Sequence, residues 1–466
     1  MNLHKTNRSK AIITIMAGVM AGTMPLTAFS LPHQEKIFGL NAPFQIQDLP
    51  PGHVVSKLES LPNTAKQKAL EWMHRISFAE KDLEFMQIDN KGGVLYADTF
   101  LPDENLAATL PGIEQLQAIA PGDAFTLHSK PGSAKVIYLD FNGHTITRTA
   151  WNTLDGIPPV LNAKAFTTDS DYANFSPTEL SQIAEMWHRV AEDYAPFDID
   201  VTTEEPAVFG PKVARLLITE NVDTNGKQMP FPATGGVAYL GVWDMFEFAS
   251  QYSPAIVYYN NLSSYPPYIA EAAAHEIGHN LGLSHDGTAS QTYYTGHGSG
   301  FVSWAPIMGM AYYQNITQWS IGEYPLANQK QDDLYLISSR LKYRPDQVGN
   351  NISTASPLLA DSAGTITATN PETDPHNENP NNKGIIETGV DIDYFSFDTG
   401  AGLINIIYLL HGRLFTGHQT EALIWIFRPC CLTSLAFKLG RPKLIHWTKL
   451  MPPFLSLFLR ATITSQ

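Results

Sequence analysis

Residues 275–287 read HEIGHNLGLSHDG, and this stretch restricts what the chain can become more tightly than any other. In an α-helix, residues four apart lie one above the other, so His275 and His279 aim their rings at a common point. Glu276 projects about 100° further round the axis and reaches a ligand of an ion rather than the ion itself. Gly282 supplies a left-handed stop, after which the chain can double back and bring His285 to the same point. Three neutral imidazoles leave the charge of Zn2+ uncompensated and one position open to water, whose pKa falls to roughly 7 in sites of this kind. Glu276 is placed to take that water's proton. A core helix has no use for such residues, because three histidines and a glutamate on one short stretch are costly to bury.

The spacing HExxHxxGxxH resembles that of the metzincin peptidases. Residues 303–309, SWAPIMG, are similar to the Met-turn of that group, in which a methionine forms an apolar floor beneath the three histidines. Met308 fits that place, and Met310 also fits. Asp286, directly after the third histidine, resembles the structural aspartate of adamalysin-like metzincins. Tyr312 and Tyr313 are similar to the tyrosine that follows the Met-turn in astacins and serralysins. The pattern sets that tyrosine two residues after the methionine, which only Met310 with Tyr312 satisfies; the alternative is an ordinary packed aromatic. The resemblance implies a zinc endopeptidase with an α+β catalytic domain: a twisted sheet and long helices above, the zinc helix, and a smaller lower subdomain. His275, His279 and His285 would hold the metal and Glu276 would act as base. Protein or peptide substrates are implied, and a structural Ca2+ has no motif to support it.

The chain has 466 residues, 44% of them hydrophobic, enough for two or three cores. A net charge of -15 argues against a nucleic-acid partner. Lys5, Arg8 and Lys10 precede an apolar run over 11–24, and Ala28-Phe29-Ser30 offers a small-residue cleavage site. That is the pattern of a secretory signal peptide over residues 1–30, too short to span a bilayer, so an exported and monomeric protein is expected. The two cysteines, Cys430 and Cys431, are adjacent and imply no disulfide framework. Residues 31–130 contain no thiol, which excludes a cysteine-switch zymogen of the matrixin type.

Residues 31–130 are punctuated by proline, with one helical stretch near 64–80. They are similar in position to a propeptide, the alternative being an ordinary N-terminal domain. A propeptide must block the metal, and no blocking group is legible. The catalytic segment is expected over 131–345. It opens on the apolar strand 136–141, continues with an amphipathic helix over 176–194 capped by Ser176 with Glu179 three residues on, and then strands at 197–203 and 213–219. Residues 236–241 read as the sheet edge along which a substrate would add as a strand. A strand at 255–259 follows, and Pro266 and Pro267 open the helix of the motif. Residues 286–305, rich in Gly, Ser, Thr and Tyr, are expected to form part of the primed-side wall, with His297 weighed as an extra ligand. A closing helix is expected over 329–341, with Asp332 and Asp333 on a solvated face rather than at a calcium site.

A linker rich in Asn, Pro, Asp and Ser covers 346–383. Residues 384–405 resemble the start of a bacterial pre-peptidase C-terminal β-sandwich, and the resemblance then stops. Residues 401–466 hold seven Lys or Arg, one Glu and no Asp, against 23 basic and 44 acidic residues in the preceding 400. One reading is a basic membrane-surface tail, whose apolar stretches are too short to span a bilayer; a second follows from the genetic code. Shifting the reading frame by one nucleotide lets 444–455 encode Asp-Pro-Leu-Asp-Glu-Thr-Asn-Ala-Thr-Ile-Ser, in which Trp447-Thr448 forces the second Asp and Met451-Pro452 forces the Ala. We read 406–466 as an out-of-frame tail produced by a frameshift near 404–412. The rival reading of the whole chain is a non-catalytic surface protein that binds peptides or glycans around a structural metal; Glu276 speaks against it, since a structural site needs no base.

Overall fold

The computed structural model describes residues 36–99, 102, 123–299, 303–369, 371 and 373–398, and the backbone of four strands further on. The expected signal peptide, residues 1–30, lies outside the described residues. Among the described residues, eleven strands precede the motif: β1 (Ile37–Gly39), β2 (Ser77–Ala79), β3 (Met86–Ile88), β4 (Val94–Asp98), β5 (Val136–Asp140), β6 (Thr145–Thr147), β7 (Val160–Asn162), β8 (Asp200–Thr202), β9 (Val213–Thr219), β10 (Gly236–Tyr239) and β11 (Ala255–Tyr258). The main helices are α1 (His53–Ser60), α2 (Asn63–Met73), α3 (Pro177–Asp193), α4 (Pro266–Leu281) and α5 (Asp333–Leu341).

One seven-stranded sheet organises the molecule, in the order β3-β4-β10-β11-β9-β5-β8. Strands β11, β9, β5 and β8 run parallel. Their sequences, such as VIYLD and VARLLIT, are near-continuous apolar runs, as strands covered on both faces require. Strand β10 runs antiparallel to β11 on one side and to β4 on the other. The expectation of a free edge at 236–241 is therefore corrected. Strand β4, from the N-terminal region, pairs along β10 with Gly236 opposite Asp98 and Tyr239 opposite Leu95.

Helix α3 matches its sequence signature. Ser176 Oγ accepts the Glu179 N–H while the Glu179 carboxylate accepts the Ser176 N–H, and Pro177 fills the first helical position. Helix α4 also starts at proline and is buried along nearly its whole length. It stops at Gly282, whose φ of 99° is left-handed. Helix α2 ends at Met73 rather than near residue 80, because residues 77–79 pair antiparallel with β1. Helix α5 starts at Asp333 behind Asp332, which caps it by accepting the Tyr335 N–H. Asp333 is not on a solvated face: it is fully buried and accepts the Ser320 N–H.

After the motif come two short strands, β12 (Trp304–Pro306) and β13 (Ile316–Gln318), paired parallel. Further on, β14 (Ser356–Pro357), β15 (Thr365–Ile366) and β16 (Asp393–Asp398) are joined by β17 (Ile404–Leu410), β18 (Ile424–Phe427), β19 (Ser434–Leu439) and β20 (Leu457–Ile463). They form a three-stranded sheet, β14-β16-β19, and a four-stranded one, β15-β20-β17-β18. Four strands thus arise beyond residue 403, where the sequence reading finds no sandwich pattern. Runs such as IIYLL and IWIF carry high strand propensity whatever their origin. Among the described residues no helix is long and apolar enough to cross a membrane.

Candidate metal centre

Helix α4 and the turn after it bring His275, His279 and His285 together, each 1% exposed or less. Each ring is tied at Nδ1. His275 Nδ1 donates to the Ile307 carbonyl and His279 Nδ1 to the Leu283 carbonyl, both at 2.8 Å, and His285 Nδ1 lies 3.0 Å from Asp82 Oδ1. A carbonyl only accepts, so the proton of His275 and of His279 is fixed at Nδ1, and their Nε2 lone pairs face inward. That is the second-shell arrangement of metal-binding histidines.

Opposite the three Nε2 atoms stands a residue no motif had marked. Asp98, at the end of β4, places Oδ2 3.3 Å from His275 Nε2 and 3.1 Å from His279 Nε2, and Oδ1 3.1 Å from His285 Nε2. Tyr293 donates its hydroxyl to Asp98 Oδ1 at 2.8 Å. For His275 and His279, lone pairs on nitrogen and carboxylate oxygen face each other at this range and repel unless a cation stands among them. The donor set of three nitrogens and one oxygen, all mutually within 4.8 Å, fits a tetrahedral zinc.

The titration of the cluster reflects the same packing. Burial pulls the His279 imidazole down to about 4. Burial also works against a charged His285, but Asp98 and Asp82 outweigh it and raise that ring to about 9. Burial would raise the Asp98 carboxyl, yet the three imidazoles hold it well below the usual carboxylate range.

Glu276 is fully buried, and neither of its carboxylate oxygens has a hydrogen-bond partner. Burial, then the charge of Asp98, pushes its carboxyl well above the ordinary range. It lies against β10 at Gly236, where a Cβ would stand 2.2 Å from Glu276 Oε1. Only glycine there admits the carboxylate.

Met308 is fully buried beneath α4: a Cβ on Gly278 would come 2.5 Å from Met308 Sδ. Met310 is partly buried and gives its N–H to the Tyr294 carbonyl. Asp286 is buried and works as a joint. Its N–H donates to the Met308 carbonyl, and its Oδ1 accepts from Gln329 Nε2 at 2.9 Å and from the Tyr324 hydroxyl at 3.3 Å. Burial, with Glu323 nearby, raises its carboxyl to about 7. Tyr312 is buried, its ring 4.8 Å from that of Tyr268, and its hydroxyl feels the charges of Glu276 and Asp98. Tyr313 meets Tyr268 edge-on.

His297, weighed as an extra ligand, is outside the cluster. A bridge to Trp304 holds it at the surface, where Nδ1 lies 2.9 Å from the Tyr294 hydroxyl. Sequence reasoning missed Asp98, Asp82, Tyr96 and Tyr293. The rings of Tyr96 and Tyr293 pack on His285 at 4.3 and 4.6 Å. Asp82 and Asp98 lie in a region with no motif, and only the pairing of β4 with β10 brings the second of them to the histidines.

No curated protein and no solved structure matches the chain. Residues 228–320 do match the sequence model of Metallo-peptidase family M12, a span that takes in β10, β11, α4, all three histidines, Met308 and Tyr312. The metallopeptidases of that family use zinc. That match, on a site with this donor set, supports a metallopeptidase, a hydrolase of peptides that binds a metal ion.

Proposed function

We propose that the protein is a secreted zinc endopeptidase, and that the arrangement described above is its latent form. The observation that carries the reading is the convergence of three Nδ1-anchored imidazoles beside a buried, unpartnered Glu276. Zinc held by His275, His279 and His285 would lower the pKa of a bound water and polarise a scissile carbonyl. Glu276, buried beside the histidines, would take the proton of that water and hand it to the leaving amine. Met308 supports the helix from below, and Asp286 fixes the turn that carries His285. Export rests on the basic residues and apolar run at the start of the chain.

Latency rests on β4. Asp98 takes the position that a water or substrate oxygen needs, and β4 occupies β10 by the strand addition expected of a substrate. The segment that a sequence reading sees as a propeptide without a blocking group thereby acquires one. Domain limits follow: 31–130 as prosegment, 131–345 as catalytic domain, 346–383 as linker, and 384–405 as the start of an appended β-sandwich.

The closed four-donor set favours one rival, a non-catalytic peptide- or glycan-binding protein with a structural metal, since structural zinc sites lack an open position. One experiment separates the two. The zinc-loaded full chain is treated with a serine protease of broad specificity, and casein hydrolysis is followed together with N-terminal sequencing of the products. Chelator-reversible hydrolysis should arise as fragments appear that begin after Asp98. Zinc-loaded fragments with no hydrolysis would overturn the proposal in favour of the structural metal.

A further inference from the structure

Far along the chain from the histidines, two stretches bring four carboxylates together. Asp346 follows α5, Glu387 and Asp391 flank a turn closed by the Asp391 N–H on the Thr388 carbonyl, and Asp393 opens β16. Oxygens of Asp346, Asp391 and Asp393 lie within 4.8 Å of one another. Glu387 adjoins them, its N–H directed at Asp391 Oδ2 at 3.4 Å.

An exposed acidic cluster would mean nothing, but this one is partly inside the protein. Asp393 is 2% exposed and Glu387 5%. Asp393 Oδ1 and Glu387 Oε2 are both buried without a hydrogen-bond partner. Asp393 Oδ2 is pressed against the backbone of residue 384, where a Cβ would stand 2.7 Å away, so glycine is required there. The outer acids are held by their own turns. Asp346 Oδ1 accepts the Val348 N–H at 2.9 Å, Asp346 Oδ2 accepts from Asn350 Nδ2 at 2.6 Å, and Asp391 Oδ1 accepts the Ile392 N–H at 2.7 Å. Arg344, whose charge does act on Glu387, directs its Nη2 to the Ser129 carbonyl instead.

Burying two carboxylates that each leave an oxygen unpaired costs several kcal/mol unless they are protonated or meet a cation. Burial and the negative neighbours Asp391 and Asp346 raise Asp393 to about 7, and burial with Asp391 raises Glu387 to about 8. A cation relieves that cost with no proton taken up. The donors are all hard oxygens on irregular loops, a set that favours calcium over zinc.

We propose that Asp346, Glu387, Asp391 and Asp393 form a binding site for one hard divalent cation, of the calcium class, that fastens β16 to the chain leaving α5. This site is independent of the histidine cluster and of the peptidase reading.

The test uses the zinc-loaded full chain after dialysis against EGTA. Calcium is titrated by calorimetry, and melting is followed by scanning fluorimetry. One equivalent of calcium should bind, and the melting temperature should rise by roughly 5 °C at a hundredfold excess over Kd. Asp391→Asn keeps the acceptor for the Ile392 N–H and leaves the buried pair intact, so it should fold. It should weaken calcium binding at least tenfold, while the zinc content stays at one per chain. Asp393→Asn should abolish the calcium-dependent shift. Calcium without effect on the unaltered chain would overturn the proposal, and so would an undiminished shift in Asp391→Asn.

Discussion

At the scale of single residues, the site depends on contacts that a charge count does not show. Converting Glu276 to Gln keeps the shape and removes the base. Turnover of the activated enzyme should fall by roughly 10²–10⁴-fold, with one zinc per chain still present by atomic absorption. Loss of the metal in that variant would mean that Glu276 is a ligand rather than a base. Gly236 gives a sharper test of position. An alanine Cβ would overlap Glu276 Oε1, Cδ and Cγ, at 2.2, 2.6 and 2.7 Å, so Gly236→Ala must move the carboxylate. Since the three atoms nearest to that Cβ all belong to Glu276 and none to a histidine, the variant should bind zinc normally and lose at least tenfold in kcat. Unchanged kcat would show that the proton-transfer geometry tolerates a displaced Glu276.

At the scale of elements, legibility followed locality. Helix α3 could be read almost to the residue because Ser176, Pro177 and Glu179 encode its start within four positions. Ser176→Ala should lower stability by about 1 kcal/mol in urea unfolding, because it frees one N–H at the first turn. Helix α4 was legible for the same reason, with proline at one end and Gly282 at the other. Strand β4 was not. Its sequence VLYAD is buried at every position and carries no alternation, and its partner β10 lies about 140 residues further on. Asp98 went unread with it, since an aspartate becomes a counterpart to three histidines only through that pairing. Asp98→Ala should therefore act on the element as well as on the metal. The uncleaved protein should gain peptide turnover, and a cobalt-substituted sample should change its visible spectrum as an oxygen donor is lost. An unchanged spectrum would place Asp98 outside the metal's coordination sphere.

At the scale of the whole molecule, residues 128–129, just before β5, and the chain beyond α5 are joined at one histidine. The His128 N–H donates to the Pro375 carbonyl, and Asn377 Nδ2 donates to the Ser129 carbonyl at 2.8 Å. The His128 ring lies between two acids, with Nδ1 2.6 Å from Asp200 Oδ2 and Nε2 2.8 Å from Glu204 Oε2, and the His376 ring stacks 6.1 Å away. Burial works against its charge, but hydrogen bonds to Asp200 and Glu204 win and raise its pKa above 6.5. A histidine whose pKa is higher folded than unfolded binds its proton more tightly in the folded state. Its contribution to stability is complete below the unfolded value and disappears as pH rises through the folded one. Urea unfolding should therefore show a loss of stability as pH rises above about 6.5, and His128→Gln should flatten that slope. Half-exposed Glu204 is screened by salt, so the slope should shrink partly in high salt while the Asp200 share persists, because that carboxylate is 5% exposed. An identical slope in His128→Gln would show that the junction is held by the backbone hydrogen bonds alone.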